Sequence, residues 1–291
     1  MTFSIAAFDP DTGDLGVAVE SKFPNVRAVV PFAKVGVGAV ATQCFSNTAY
    51  ASRGFALLES GASPEEAIAI MTRDDPRRAE RQVGIVDVQG RSAHFTGDGC
   101  FGYAGGIAGE NFTVQGNVLT GVGVLEAMAE SFQASTGPLA ERLIGVLETG
   151  QAAGGEKRGQ QSTALLVVRK NGGYGDNNDR YVDLSVCDHT TPIAELRRLY
   201  NLYGLTFFKS DPDRLVDVDE ALGRELQQIL SERGFYDGPV DGRYGPASQR
   251  AMRAFMGWEN YDERIRDDAL VDLDVVADIR SKHADWRRQQ D

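Results

Sequence analysis

Thr2 is the first residue of the chain whose type and position could do chemistry. Met1 precedes it, and a side chain as small as threonine's normally permits removal of that methionine. A hydroxyl residue at a mature N-terminus can attack a carbonyl with its own α-amine as base. That amine titrates at about 8, so much of it is neutral at cellular pH. With Met1 retained, the same nitrogen is an amide and cannot be a base. Ser4 is the alternative nucleophile, internal and on the strand that Thr2 begins.

Other polar residues could serve such a nucleophile. Lys22 and Lys34 could lower its pKa or hold a substrate carboxylate, or they are plain surface lysines. Gln43, Ser46 and Asn47 fall where a strand gives way to a helix, so they could form an oxyanion hole or cap that helix. Gln115-Gly116-Asn117 is a polar cluster at a strand end, with Gly116 permitting close approach, or simply a turn. Gln161 and Ser162 begin a buried strand after glycine-rich sequence and read as site-lining. Asp74-Asp75 and Asp176 to Asp179 could bind a cation through oxygens, but a helix stop and a hairpin turn explain them as well. Cys44, Cys100 and Cys187 are scattered and form no CxxC pair, so they read as buried free thiols. His94, His189 and His283 are too few and dispersed for zinc. Gly154 to Gly159 lacks the P-loop spacing. No metal and no organic cofactor is implied.

The elements that must position these residues can be read from periodicity. Phe3 to Phe8 and Leu15 to Val19 flank an Asp-Pro-Asp-Thr-Gly-Asp turn, which predicts a hairpin. Ala28 to Ala33 and Val35 to Thr42 predict two more strands. A helix follows from Tyr50 to Ser60, ending at Gly61. Ser63-Pro64-Glu65-Glu66 then spells a capping box. Gln82 to Asp87 and Arg91 to Thr96 predict a second hairpin, and Phe112 to Gln115 another strand. Leu125, Met128, Ala129 and Phe132 share one helical face, as do Leu139, Leu143, Val146 and Leu147. Ser162 to Val168 and Tyr181 to Cys187 are strands, and Pro192 to Tyr203 is a helix. The order suits an α+β fold of two antiparallel sheets between helical layers, αββα, rather than a doubly wound parallel sheet.

After Gly204 the texture becomes helix-rich and densely charged, dividing the chain into residues 1–205 and a small all-α domain at 206–291. Of the sequence, 42% is hydrophobic and 25% charged, the composition of a globular protein. The net charge of −12 argues against nucleic acid and against anionic membranes as partners. Met1 to Phe8 lacks the pattern of a signal peptide and no run suits a membrane span, so a cytoplasmic location is expected.

Thr2-Phe3-Ser4-Ile5 with Leu15-Gly16-Val17-Ala18-Val19 resembles the strand–turn–strand opening of N-terminal nucleophile (Ntn) hydrolases such as proteasome subunits. The whole run to about Tyr203 resembles family 1028 among the domains of unknown function, whose fold is Ntn-hydrolase-like. The likeness lies in those segments, in Gly36 to Gln43, Arg81 to Gly84, Gln115 to Asn117, and Gly154 to Ser162. One departure is Tyr103-Ala104-Gly105 where the family carries Trp-Ala-Gly, which could alter a pocket wall. The resemblance implies an Ntn-type hydrolase acting on an amide bond of a small metabolite. It would use Thr2, with backbone amides near Gln43 to Asn47 holding the oxyanion. The rival expectation is a non-catalytic Ntn-like ligand-binding protein.

Gly234-Phe235-Tyr236-Asp237-Gly238-Pro239-Val240-Asp241-Gly242-Arg243-Tyr244-Gly245 closely resembles the peptidoglycan-binding domain family. Its glycines and aspartates build the double turn whether or not anything binds. Packing, homo-oligomeric assembly or lidding of the first domain is therefore expected ahead of cell-wall binding. A wall-associated binding protein is the third reading.

Overall fold

The computed structural model describes residues 2–290; Met1, whose removal the Thr2 chemistry requires, lies outside them, as does Asp291. The fold is mixed α and β with antiparallel sheets. Contacts divide the chain into two compact units, one through Leu199 and one from Tyr200.

The first unit opens with β1 (Thr2–Phe8) and β2 (Leu15–Ser21), paired antiparallel so that Thr2 faces Ser21 and Phe3 faces Glu20. A single 3-10 turn at Val26–Ala28 precedes β3 (Pro31–Lys34) and β4 (Gly38–Cys44). The strand expected from Ala28 thus begins only at Pro31. Asn25 sits in the left-handed region at φ 51°, and the Ser162 hydroxyl accepts the Val26 amide, which pins the segment as a turn. Helices α1 (Ala49–Glu59) and α2 (Pro64–Arg73) follow. The capping box forms as read: Ser63 Oγ accepts the Glu66 amide and Glu66 accepts the Ser63 amide.

The hairpin β5 (Arg81–Asp87) and β6 (Ser92–Thr96) leads to β7 (Tyr103–Gly109) and β8 (Phe112–Leu119). Three glycines in seven residues hide β7 from a pattern search. Gly106 is needed there, because a Cβ would sit 2.7 Å from the His94 ring. Helices α3 (Gly123–Ala134) and α4 (Leu139–Ala152), strands β9 (Ser162–Val168) and β10 (Arg180–Val186), and helix α5 (Pro192–Phe207) complete the sequence of elements.

Two sheets result, ordered β10-β9-β2-β1-β8-β7 and β3-β4-β5-β6. Helices α3 and α4 lie on the first, α1 and α2 on the second, and β1 meets β4 and β5 between them. This explains why β1, β2 and β9 are buried at every residue: both faces of each strand are covered, so the sequence lacks the apolar–polar alternation of a half-exposed strand. Period-2 geometry then sorts the side chains. Ala6, Val17, Val19 and Leu166 meet Ala39, Ala41 and Val86 in one cluster between the sheets. Val40, Val83 and Ile85 meet Tyr50, Ile68 and Met71 from the helices on the other side.

The second unit is mainly helical. Helix α6 (Glu220–Glu232), α7 (Pro246–Trp258) and α8 (Leu273–Gln290) share a core around Leu226, Phe255 and Val275. It is not all-α: β11 (Leu215–Asp217) and β12 (Leu270–Asp272) pair antiparallel, each too short to show an alternation in sequence. Among the described residues, no helix is long and apolar enough to cross a membrane.

Candidate active site

Because side chains alternate along β1, Thr2, Ser4 and Ala6 project between the sheets, while Phe3 and Ile5 face the helices. The polar end of this interface lies at Thr2. Its Oγ1 is 2.9 Å from Ser21 Oγ, with either hydroxyl able to donate, and Thr2 is buried. Both line a cavity of about 280 Å³. Val26, Val29 and Val30 form an apolar wall, and the exposed rings of Phe23 and Phe45 stand at its rim. The Ser162 hydroxyl donates to the Phe23 carbonyl and accepts from the Val26 amide, so it holds the wall in place from the neighbouring strand.

Behind Thr2 lies a buried amide network. Gln82 Nε2 donates to the Gly105 and Gly116 carbonyls at 3.1 and 2.8 Å, which forces its Oε1 toward Gln43 Nε2 (2.8 Å) and Asn117 Nδ2 (2.7 Å). Carbonyls cannot donate, so the orientation of all three amides is set. Gln43 Oε1 accepts from Ser4 Oγ at 2.6 Å, and that hydroxyl accepts from Gln115 Nε2 at 2.6 Å. One acceptor is left over. Asn117 Oδ1 is buried and without a partner among the described residues, directly across the ladder from Thr2. A buried acceptor left unmet costs about 1–3 kcal/mol.

Strain accompanies it. Cys44 and Val118, the residues after Gln43 and Asn117, both hold left-handed backbones, at φ 65° and 55°. For a β-branched valine this is a rare conformation, and such outliers gather at functional sites.

Charge around the cavity is largely paired. Asp75 accepts from Arg81 Nε (3.0 Å), Tyr50 Oη (2.7 Å), Asn47 Nδ2 (3.1 Å) and the Arg77 amide (2.8 Å). Burial alone would raise its carboxyl, but these donors hold it well below the usual carboxylate range. Arg77 pairs with Glu80 at 2.6 Å and lies over the Phe45 ring. On the far face of β2, Glu20 is fully buried, and neither carboxylate oxygen has a hydrogen-bond partner among the described residues. Burial first, and the charge of Glu156 second, push its carboxyl up to about 8. Glu156 is itself buried, accepting the Lys22 amide and both the amide and guanidinium of Arg158. Among the described residues, no group of three His, Cys, Asp or Glu could hold a metal ion.

The sequence-based candidates therefore separate. Thr2, Gln43 and Ser46 line the cavity; Ser4, Gln115 and Asn117 form the network behind it. Ser162 braces the wall. Asn47 accepts the Ala49 amide at 3.2 Å at the start of α1 and lies outside the cavity lining. The two lysines do not face Thr2. Lys22 Nζ donates to the Gln160 carbonyl at 3.0 Å, and Lys22 lines a separate cleft with Gln161, whose amide bonds Asp188. Lys34 Nζ is bonded to Glu59 at 2.6 Å on an exposed edge. Sequence reasoning missed Ser21, Glu20, Gln82 and the Arg81–Asp75 pair. Ser21 carried a signal, since a hairpin register read from the turn places it opposite Thr2.

Residues 2–196 match the profile of the family of unknown function DUF1028, and residues 206–277 match the peptidoglycan-binding profile PG_binding_2. No curated protein matches the chain. Among solved structures, the crystal structure of protein SPO2555 from Silicibacter pomeroyi, itself assigned to DUF1028, is 31% identical. It matches over 70% of this chain and 86% of that one with a TM-score of 0.64. Anbu, an ancestral beta-subunit from Yersinia bercovieri, is 12% identical over 71% of this chain and 96% of its own, with a TM-score of only 0.35.

Proposed function

The chain belongs to the family of unknown function DUF1028, and we propose that its first unit is an Ntn-type hydrolase cleaving an amide bond of a small metabolite. One observation carries this reading: the hydroxyl that heads a central strand, Thr2 Oγ1, opens into the cavity with Ser21 as its hydroxyl partner. The order helix pair, sheet, sheet, helix pair supports it, being the αββα layering of that class.

With Met1 removed, the Thr2 α-amine takes the hydroxyl proton as Oγ1 attacks the carbonyl carbon, then returns it to the leaving amine. Asn117 Oδ1, without a partner among the described residues and opposite Thr2, is suited to accept from the resulting ammonium. Water then hydrolyses the ester, releasing the acid and restoring the hydroxyl. Oxyanion donors come from the Gln43 to Asn47 turn, less the Phe45 amide, which is bonded to the Glu80 carbonyl at 3.1 Å. Lys22 and Lys34, bonded to the Gln160 carbonyl and to Glu59, have no part in this scheme; the rival reading is ligand binding in the same cavity without catalysis. Turnover of small N-acyl amides by protein that begins at Thr2, and its loss in Thr2→Ala, tests the reading.

The second unit is assigned to assembly rather than to peptidoglycan. Gln227 Nε2 lies within 3.2 Å of Asp241, the Arg243 carbonyl and Ser248 and shares its two N–H groups among them, and its Oε1 accepts the Gly242 amide, so Asp241, Gly242 and Arg243 are bound up in their own turn. Recovery of the protein on purified peptidoglycan would contradict that assignment. A cytoplasmic location and a homo-oligomeric state belong to the same proposal.

A further inference from the structure

Cys44 and Cys100 stand 56 positions apart in sequence, yet one residue, Arg81, adjoins both. Cys44 is the ladder partner of Arg81 at the end of β4, and Cys100 Sγ reaches the Arg81 carbonyl at 3.5 Å. The residues that follow each cysteine also meet, the Phe45 and Phe101 rings packing edge-to-face at 6.2 Å. The loop bearing Cys100 is held there by the Gly97 amide on the Arg81 carbonyl and the Gly99 amide on the Ala79 carbonyl. Both thiols are partly exposed, and Cys44 lines the Thr2 cavity.

We propose that Cys44, in the wall of this cavity, and Cys100, in the loop after β6, are a dithiol that closes to a disulfide by exchange with a low-molecular-weight disulfide. The chemistry balances without another reagent. The Cys44 thiolate attacks one sulfur of the reagent, forming a mixed disulfide and expelling one thiolate. Cys100 then attacks the Cys44 sulfur, its proton passes to the departing sulfur, and the second small thiol leaves. The protein pair is oxidised by two electrons and the reagent is reduced to two thiols. The order of attack follows from the opposite shifts of the two thiols. The Cys100 hydrogen bond holds the Cys44 thiol below its ordinary range, whereas the same bond pushes Cys100 up. A mixed disulfide at Cys44 removes that upward push and frees Cys100 to resolve it.

The third thiol, Cys187, is exposed and serves as an internal control. The reduced full chain is treated with glutathione disulfide, remaining thiols are alkylated, and peptides are mapped by mass. The proposal expects a Cys44–Cys100 cross-link lacking two hydrogens, with Cys187 as a glutathione adduct. In Cys100→Ser, the glutathione adduct should persist on Cys44, an added mass in place of a loss. A wild-type chain in which Cys44 keeps its glutathione while Cys100 is alkylated overturns the proposal. So does a Cys44 that reacts no faster than Cys187. Neither readout depends on catalysis, so the result stands apart from that of the Thr2 mechanism.

Discussion

Thr2 Oγ1 and Ser21 Oγ share a hydrogen bond of 2.9 Å at the buried head of adjacent strands, and the register of β1 on β2 puts them there. Ser21 is placed to steady the Thr2 hydroxyl or relay its proton. Ser21→Ala should lower kcat by roughly 10²-fold, the small end of acid–base effects, with little change in KM. Steady-state kinetics on a small N-acyl amide checks it; an unchanged kcat removes Ser21 from the mechanism.

Glu20 makes stability depend on pH. Its carboxyl rises from 4.5 to about 8 on folding, chiefly through burial. Between those values the folded chain holds a proton that the unfolded chain has lost, so the contribution is full below pH 4.5 and disappears as pH rises through 8. A loss of a few kcal/mol is expected across that window. Glu20→Gln keeps the shape and removes the charge, so its stability advantage over wild type should grow from pH 5 to 8. Denaturant unfolding at several pH values measures this, and parallel curves for the two proteins would contradict it.

Gly84 protects the amide network. A Cβ there would sit 1.9 Å from Gln115 Oε1 and 2.9 Å from Thr113 Cγ2. Gly84→Ala should therefore destabilise by about 1–3 kcal/mol and displace Gln115 from Ser4. Thermal and denaturant midpoints, with a crystal structure of the variant, report both effects.

Gly145 gives the opposite sign. It lies within α4 at a negative φ, and an added Cβ meets nothing within 4 Å. Gly145→Ala should stabilise by roughly 0.5–1 kcal/mol through the lost freedom of the unfolded chain. A neutral or destabilising shift would mean that α4 packs differently around this position.

Local chemistry was legible where it is self-contained. The Ser63 to Glu66 capping box needs only residues within one turn, and it forms as spelled. Gln43, Gln115 and Asn117 were visible as polar residues at strand ends, although β8 runs on through Gln115 and Asn117 to Leu119. What escaped was long-range. The role of Lys34 turned on Glu59, and that of Lys22 on the Gln160 carbonyl, partners that strand position cannot reveal. The Val26 turn depends on a hydroxyl 136 residues away. Cys44 and Cys100 read as unrelated because only the β4–β5 ladder and the loop after β6 bring them to one residue, Arg81.

The central claim is that the Thr2 hydroxyl is the nucleophile, activated by its own amine. The most direct measurement combines intact mass with single-turnover assay of wild type and Thr2→Ala on a small N-acyl amide. The account predicts wild-type protein lacking Met1, an acyl adduct on Thr2 during turnover, and no adduct or product in the variant. Protein that retains Met1 in every molecule while Thr2→Ala turns over at the wild-type rate would contradict it.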